Sequence, residues 1–327
     1  MNSKCLYPRC VGPQFECQCT EPPTLLCAHQ VGQHMLLQNG QVHTPTPLFK
    51  KQTPTSGEDA YVKKVVDYSG LYQSKFLCYF TPPYKTLIQI NLELNAREIF
   101  PVQLSEGVGD RAAQCLLPRN KLFHYGGILG QKEYSSFCFR MKLDTHQVTE
   151  LPKLDPGRWG AGCAYWGGSA YLFGGSSSKG VLSEVWKLDL TEKHWEKLPD
   201  LPEASANNTA VAYKDFIFVT GFSMLSLWKY HPQNNTYSEV AQVPRGFKLL
   251  FRENENLYLL NENSVLQMLP NGQWSFVSKG FQIPDFINSP PTRHGRLFYF
   301  VLYKDILCCF DTKDFAVRLV KNFQVEN

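Results

Sequence analysis

The chain has 327 residues, enough for a substantial buried core, and it carries 33 Lys and Arg against 29 Asp and Glu, a net charge of +4. This near balance, without a basic run, disfavours nucleic acid and anionic membranes as partners, and no apolar stretch approaches the roughly 18 residues of a membrane-spanning helix. The first residues resemble neither a signal peptide nor a transit sequence, so we expect a cytoplasmic protein with no nucleic-acid or membrane partner.

Cysteine and histidine are concentrated in the first 43 residues, which also contain many turn-forming residues. Zinc takes four such ligands in a closed tetrahedral site, and a short segment without an apolar core gains its fold from the metal. We therefore predict a structural zinc-binding module over residues 1–43 with one or two zinc ions. Its predicted ligands are Cys5, Cys10, Cys17, Cys19, Cys27, His29, His34 and His43.

The ligand count leaves two arrangements open. If His43 completes the set, two interleaved sites form, and their ligands are Cys5, Cys10, Cys27 and His29 in one and Cys17, Cys19, His34 and His43 in the other. Otherwise one site is complete and the other residues are spare. The alternative to metal binding is a tail that is held by disulfides or lacks fixed structure.

Residues 25–37 are predicted to form a short helix that places His29 and His34 near one face. The module resembles the B-box-like class of zinc fingers, which interleave two metal sites. It departs from that class at Cys17 and Cys19, which are separated by one residue. The resemblance implies a structural or adaptor role for the metal, because a catalytic zinc needs an open position and a neighbouring base.

A proline-rich linker is predicted over residues 44–60, where three prolines prevent a continuous helix. A larger domain then begins at residue 61. Residues 61–67 would be either its first inner strand or a strand that closes it.

Residues 61–322 repeat a pattern of short strands. Aromatic runs such as Tyr171–Phe173 are too short for a buried helix, which indicates strands covered on both faces. These runs recur after 47, 48, 46, 40 and 40 residues. One such unit cannot cover its own apolar faces, so the period predicts a radial array of four-stranded sheets. A large β-sandwich is the alternative, although sandwich strands show no period of this length.

The predicted strands fall into three sets that repeat in phase. The second strands of each unit are predicted at 76–80, 122–127, 170–175, 216–221, 257–261 and 297–301. The third strands are predicted at 87–91, 138–143, 185–190, 227–230, 265–269 and 306–310, and the fourth at 99–104, 148–151, 195–198, 237–240, 274–277 and 317–320.

Glycine doublets end two of the aromatic strands, at Gly126–Gly127 and Gly174–Gly175, and a Trp or Tyr stands about 20 residues later, before Leu-Pro in the clearest unit. This pattern resembles kelch repeats over roughly residues 61–322, although the last two units lack the doublet. The resemblance implies an all-β fold, a six-bladed kelch-type β-propeller with a central channel, preceded by the zinc module.

Turn chemistry explains the candidate catalytic residues of the repeat domain. Glu184, Asp189 and His194 have the residue types of a metal site, but Asp189 ends a third strand and His194 precedes the fourth. The loop at residues 174–180 lacks the spacing and the following helix of a phosphate-binding loop. We therefore predict no enzymatic activity; a propeller enzyme acting on a sugar or small molecule is the alternative. Six cysteines in this domain are predicted to be buried and reduced: Cys78, Cys115, Cys138, Cys163, Cys308 and Cys309.

Three arginines occupy equivalent positions in their repeats. Arg111, Arg158 and Arg245 lie 16, 17 and 16 residues before the ends of their second strands. Converging guanidinium groups bind carboxylates well, so we predict a partner-binding ring for an acidic peptide at the channel mouth. Alternatively, each arginine bonds local carbonyl groups and fixes its own blade.

A broad face of loops without a catalytic pair favours binding over catalysis. The predicted function is a non-catalytic scaffold or adaptor that binds protein partners through the propeller loops, free in the cytoplasm or within a large cytoskeletal or other stable assembly. The alternative within the binding class is the substrate-recognition subunit of a ubiquitin ligase.

Overall fold

The computed structural model describes residues 14–17, 24–27, 46–47, 74–81, 86–130, 133–244, 246–253, 255–283, 287, 289–302, 306–320 and 324–325. The chain forms two compact units, Met1–Lys64 and Val65–Asn327. Within the described residues the regular structure consists of β-strands, which confirms the all-β prediction. Nowhere in these ranges does a helix have the length and apolar character needed to cross a membrane.

The first unit contains a small antiparallel sheet. It consists of β1 (Gln14–Cys17), β2 (Thr24–Cys27) and β3 (Thr46–Pro47), with β1 in the centre. The helix predicted from residue 25 is wrong over Leu25–Cys27, because these residues pair with β1. A four-residue apolar run after two prolines is too short to nucleate a helix, and a partner strand satisfies its backbone instead. Residues 28–37 lie outside the described part. β3 falls within the segment predicted as a linker.

The second unit contains six four-stranded sheets among its described residues. Sheet I has β4 (Phe76–Thr81), β5 (Thr86–Asn91) and β6 (Ala96–Pro101). Sheet II has β7 (Ala113–Leu117), β8 (Lys121–Tyr125), β11 (Cys138–Lys142) and β12 (Val148–Leu151), and sheet III has β14 (Gly162–Trp166), β15 (Ser169–Phe173), β18 (Val185–Asp189) and β19 (His194–Leu198). Short strands in the loops are β9 (Ile128–Gly130), β10 (Glu133–Tyr134), β13 (Arg158–Trp159), β16 (Ser176–Ser177) and β17 (Gly180–Val181).

The remaining sheets follow the same order. Sheet IV has β20 (Thr209–Tyr213), β21 (Phe216–Thr220), β22 (Ser226–His231) and β23 (Thr236–Gln242), and sheet V has β24 (Phe247–Glu253), β25 (Asn256–Asn261), β26 (Ser264–Met268) and β27 (Trp274–Lys279). Sheet VI has β28 (Thr292–His294), β29 (Leu297–Leu302), β30 (Ile306–Asp311) and β31 (Ala316–Leu319). The fourth strand of sheet I is β32 (Gln324–Val325), which pairs in parallel with the outer edge of β6.

The predicted second, third and fourth strands are confirmed in all six sheets. β6 begins and ends three residues earlier than predicted, at Ala96 and Pro101, because it follows directly on the turn at 92–95. Pro101 lacks the amide hydrogen that a longer ladder would need. Residues 61–67, predicted as an inner or closing strand, lie outside the described residues.

Apolar side chains are buried between consecutive sheets, and sheet VI also packs against sheet I. Each sheet therefore has a neighbour for both of its apolar faces, which a single unit could not cover alone. The ring-centroid distances are 5.9 Å for Phe80–Phe139 between I and II, 5.8 Å for Tyr125–Trp195 between II and III, 5.8 Å for Phe173–Tyr230 between III and IV, and 4.9 Å for Phe251–Phe298 between V and VI. Phe218 and Leu259 join one cluster between IV and V, and Leu77 and Val301 join another between VI and I.

An aromatic residue of the fourth strand connects each of three sheets to the sheet before it. Trp195 Nε1 donates to the carbonyl of Pro152 at 2.8 Å. The Tyr237 hydroxyl donates to the carbonyl of Pro199 at 3.0 Å, and Trp274 Nε1 to that of Gln242 at 2.8 Å. Each acceptor lies at or just after the end of the preceding sheet's fourth strand. The Trp or Tyr of the repeat therefore links neighbouring sheets by a hydrogen bond as well as by packing.

Tyr237→Phe removes one of these bonds and keeps the ring. We expect a loss of about 1 kcal/mol in the free energy of unfolding, measured by urea denaturation, because the Pro199 carbonyl loses its donor. Tyr258→Phe is the matched control, since the Tyr258 ring packs against Phe251 but its hydroxyl makes no hydrogen bond to the described residues. Equal losses in the two variants would contradict this role for Tyr237.

Candidate functional site

The two glycine doublets bond the ends of the second strands of sheets II and III to the loops that enter sheets III and IV. Gly127 N donates to Arg158 O at 2.9 Å, and Gly175 N donates to Ser205 O at 2.8 Å. Both glycines have positive φ, +104° and +100°. A Cβ on Gly127 would lie 2.5 Å from the Gly109 carbonyl oxygen, so only glycine permits this approach. We call the edge formed by these loops, where first strands begin and second strands end, the loop face.

A central cavity of about 110 Å³ opens among the first strands of sheets II to V and the segment before β28. Its polar lining comes from Gln114, Asn208, Thr209 and Ser289. Ligand pockets for drug-sized molecules span roughly 300–1,000 Å³, so this cavity has room for a few waters or the tip of one side chain.

Two thiols border the cavity at equivalent positions of neighbouring sheets. Cys115 Sγ and Cys163 Sγ lie 3.2 Å apart. Burial raises the pKa of Cys163, and that of nearby Cys138, well above the ordinary value. The thiols of Cys163 and Cys138 therefore stay protonated at neutral pH. All six cysteines of the repeat domain are buried and free, as predicted.

Arg158 lies inside the loop face. Its side chain is fully buried, and its guanidinium donates to Glu184 Oε2 at 2.8 Å. Trp186 Nε1 donates to the same oxygen at 3.1 Å. Partial burial raises the pKa of Glu184, but the bonds from Trp186 and Arg158 outweigh it and hold the pKa below its usual value. Arg158 thus connects the loops of sheets II and III.

The other predicted arginines are placed differently. The Arg111 guanidinium lies over the Trp159 ring, 5.2 Å from its centroid, and the Arg111 carbonyl accepts a bond from Gly160 N. The Arg111 loop therefore contacts the segment 158–160, and the two arginines belong to one loop cluster. Arg245 lies outside the described residues, so the three-arginine ring stays a prediction.

Two of the predicted zinc ligands lie in described strands. Cys17 pairs with Thr24 and Cys27 with Gln14, so the two cysteines are three ladder positions apart, about 10 Å along the hairpin. The other six predicted ligands lie outside the described part: Cys5, Cys10, Cys19, His29, His34 and His43. In the residues that are described, no cluster of three or more His, Cys, Asp or Glu is arranged to hold a metal. The structure gives Asp189 a turn role, because its Oδ1 accepts hydrogen bonds from the backbone amides of Thr191 and Glu192. Turn chemistry thus accounts for this residue of the set Glu184, Asp189 and His194.

Three exposed apolar side chains on the loop face form what we call the apolar loop patch: Val181, Phe222 and Leu225, which are 54%, 68% and 60% exposed. Their loops are held to one segment, because Phe222 N donates to Ala206 O and Ser205 N to Leu182 O, both at 3.1 Å. Glu203 fixes the same loop by accepting bonds from Leu225 N and Trp228 Nε1. Exposed apolar groups on a rigid frame are typical of interaction sites.

This patch was not among the sites predicted from the sequence. Its signal is three apolar residues, Phe222, Met224 and Leu225, at the loop where sheets II and III carry a glycine doublet.

The comparison with protein-family models matches residues 82–266 to the KLHDC2/KLHL20/DRC7 Kelch-repeats domain. The match covers more than half of the chain. This chain belongs to the kelch-repeat family. A comparison with curated proteins finds no match. The matched kelch repeats include both glycine doublets, the Arg158–Glu184 pair and the apolar loop patch, and kelch-repeat domains generally bind protein partners.

The Glu184 carboxylate makes the stability of the loop face pH-dependent. Because its pKa is lowered in the folded state, Glu184 stabilises the fold above its unfolded-state pKa, and this contribution is lost as the pH falls through the folded-state pKa. Glu184→Gln leaves the buried Arg158 charge without a carboxylate at every pH. We expect the variant to melt below wild type at pH 7, with the gap shrinking towards pH 3. A gap of constant size across this range would contradict the assignment.

Proposed function

We propose that this kelch-repeat protein is a non-catalytic scaffold or adaptor whose loop face binds a protein partner. The observation that carries the proposal is the apolar loop patch, where three apolar side chains are more than half exposed on loops that backbone bonds hold in place. A rigid loop loses little conformational freedom on binding, which favours affinity. The protein would act in the cytoplasm, free or within a large stable assembly.

The architecture proposed for this scaffold is a six-bladed propeller with sheets I to VI as its blades. The packing of first strands against one another and the contact of sheet VI with sheet I support this count. Residues 61–67 would supply the first strand of sheet I or a closing strand. The pairing of β32 with β6 is a second connection to sheet I, in addition to the packing of sheet VI against it.

The partner segment is proposed to combine apolar and acidic side chains. Phe222 and Leu225 would contact its apolar groups, and Arg111 with Trp159 offers an arginine–aromatic pair of the kind enriched at binding hot spots. Arg158 would act from beneath by positioning Trp159, because its own guanidinium is paired with Glu184. Arg245 is predicted at the equivalent place in its repeat.

Phe222→Ser combined with Leu225→Ser tests the proposal in the full-length protein. We expect at least a ten-fold loss of a stoichiometric protein partner in affinity purification followed by mass spectrometry, with the melting temperature near that of wild type. Leu94→Ser is the control, since Leu94 is 73% exposed in the turn that joins β5 to β6, at the edge opposite the loop face. Unchanged partner recovery in the double variant, or equal loss in the control, would count against the patch.

The second candidate function is substrate recognition for a ubiquitin ligase, which membership of the kelch-repeat family supports. Co-purification of a cullin with the wild-type protein would favour this candidate over a simple scaffold. An enzyme acting on a sugar is the less favoured alternative, because the described cavity of about 110 Å³ is smaller than ordinary ligand pockets. Retention of a small molecule without a protein partner would favour it.

We also propose that residues 1–43 hold one or two structural zinc ions. The density of Cys and His ligands supports this, and the β1–β2 register keeps Cys17 and Cys27 apart, in line with their assignment to different ligand sets. Elemental analysis of the full-length, reduced protein should find zinc, and Cys17→Ser and Cys27→Ser should each reduce its amount. A folded, reduced protein without zinc would refute this proposal.

A further inference from the structure

Sheet II differs from sheets I, III and VI where its third strand ends. In sheets I, III and VI the last residue of the third strand is Asn91, Asp189 or Asp311, and its Oδ1 accepts amide hydrogens of the following turn. Each lies opposite the first residue of the second strand. In sheet II these two positions are Lys142 and Lys121. A turn-stabilising acid or amide is thus replaced by a lysine that faces another lysine.

This pairing is unfavourable, because like charges directly opposite each other destabilise an antiparallel pair. Two more cations are close by: Arg140 lies two residues from Lys142 on the same face of β11, and Arg119 precedes β8 in the turn. Elsewhere the chain balances such positions. In sheet III, Lys187 lies opposite Glu196, with 2.8 Å between Nζ and Oε2.

The four cations lack acidic partners in the described part of the chain. None of Arg119, Lys121, Arg140 and Lys142 has a carboxylate oxygen of a described residue within 4.0 Å. Arg140 donates to Leu190 O at 3.2 Å and Lys142 Nζ to Gln147 Oε1 at 2.8 Å, so both bond neutral groups.

The nearest acid along the chain, Asp144, borders this corner, because its Oδ1 accepts a hydrogen bond from Asn120 Nδ2 at 3.2 Å, but it forms no ion pair with any of the four cations. Partial burial, followed by the charges of Arg140, Arg119 and Lys142, lowers the pKa of Lys121. Positive charge therefore exceeds negative charge at this corner, with four cations and one carboxylate.

We propose that this cationic corner, formed by Arg119, Lys121, Arg140 and Lys142, binds a phosphoryl group. A phosphoryl dianion has several acceptor oxygens and can bond more than one cation at once, whereas one carboxylate carries a single charge. Opposite residues of an antiparallel pair have Cβ atoms about 5 Å apart, so Lys121 and Lys142 can reach the same tetrahedral anion. The site lies where β8 begins, at the opposite edge from the loop face, so it is distinct from the proposed partner surface.

Thermal unfolding of the full-length protein in inorganic phosphate and in chloride at equal ionic strength tests the site. We expect phosphate to raise the melting temperature of wild type. Lys142→Asn should weaken the apparent phosphate affinity at least ten-fold. In chloride this variant should melt no lower than wild type, because it removes the repulsion between Lys142 and Lys121 and introduces asparagine, the residue at the equivalent position of sheet I, Asn91.

The matched control is Lys193→Asn, which removes an exposed lysine from the corresponding turn of sheet III at a positive φ that asparagine tolerates. It should respond to phosphate as wild type does. An equal phosphate response in Lys142→Asn and wild type, or no difference between phosphate and chloride, would overturn the proposal.

Calorimetric titration then distinguishes a phosphorylated protein from free phosphate as the ligand of this site. Tighter binding of a blocked phosphoserine peptide than of inorganic phosphate would support the site with a phosphorylated protein as its ligand. The reverse order would support it with free phosphate as the ligand. Binding of neither compound would refute the site.

Discussion

The packing of sheets II, III and IV depends on backbone hydrogen bonds between the end of one sheet's second strand and the loop that enters the next. Gly127 and Gly175 donate to Arg158 and Ser205, and their positive φ angles and missing Cβ atoms allow the two chains to come this close. Each bond connects neighbouring sheets at the loop face. The loops are therefore fixed by the repeat itself, and a partner would meet a preformed surface.

Burial of apolar faces explains why these connections are needed. A four-stranded sheet with aromatic residues on both faces is stable only between two neighbours, so the clusters around Phe139, Phe173 and Phe251 lie between sheets rather than within one. The fourth-strand aromatics add hydrogen bonds across the same boundaries. Side-chain packing and backbone bonding thus act at the same junctions between sheets.

Much of this architecture could be predicted from the sequence, because aromatic runs and glycine doublets repeat in phase. The strand at Leu25–Cys27 could not, since a four-residue run is compatible with a helix until its pairing partner is known. The burial of Arg158 could not be predicted either, because its partner, Glu184, is 26 residues away. The spacing of the arginines is compatible both with a partner-binding ring and with arginines that each fix their own blade. The apolar loop patch and the Lys121–Lys142 pair are departures from the repeat, which only a comparison of sheets at equivalent ladder positions reveals.

Hydrogen exchange of the individual backbone amides tests the central claim most directly. The account predicts that the Gly127 and Gly175 amides are protected as strongly as the amides of the second strands they follow, because each is bonded to the neighbouring sheet. Exchange of both amides at the rate of an unprotected turn, in protein whose strands remain protected, would contradict it.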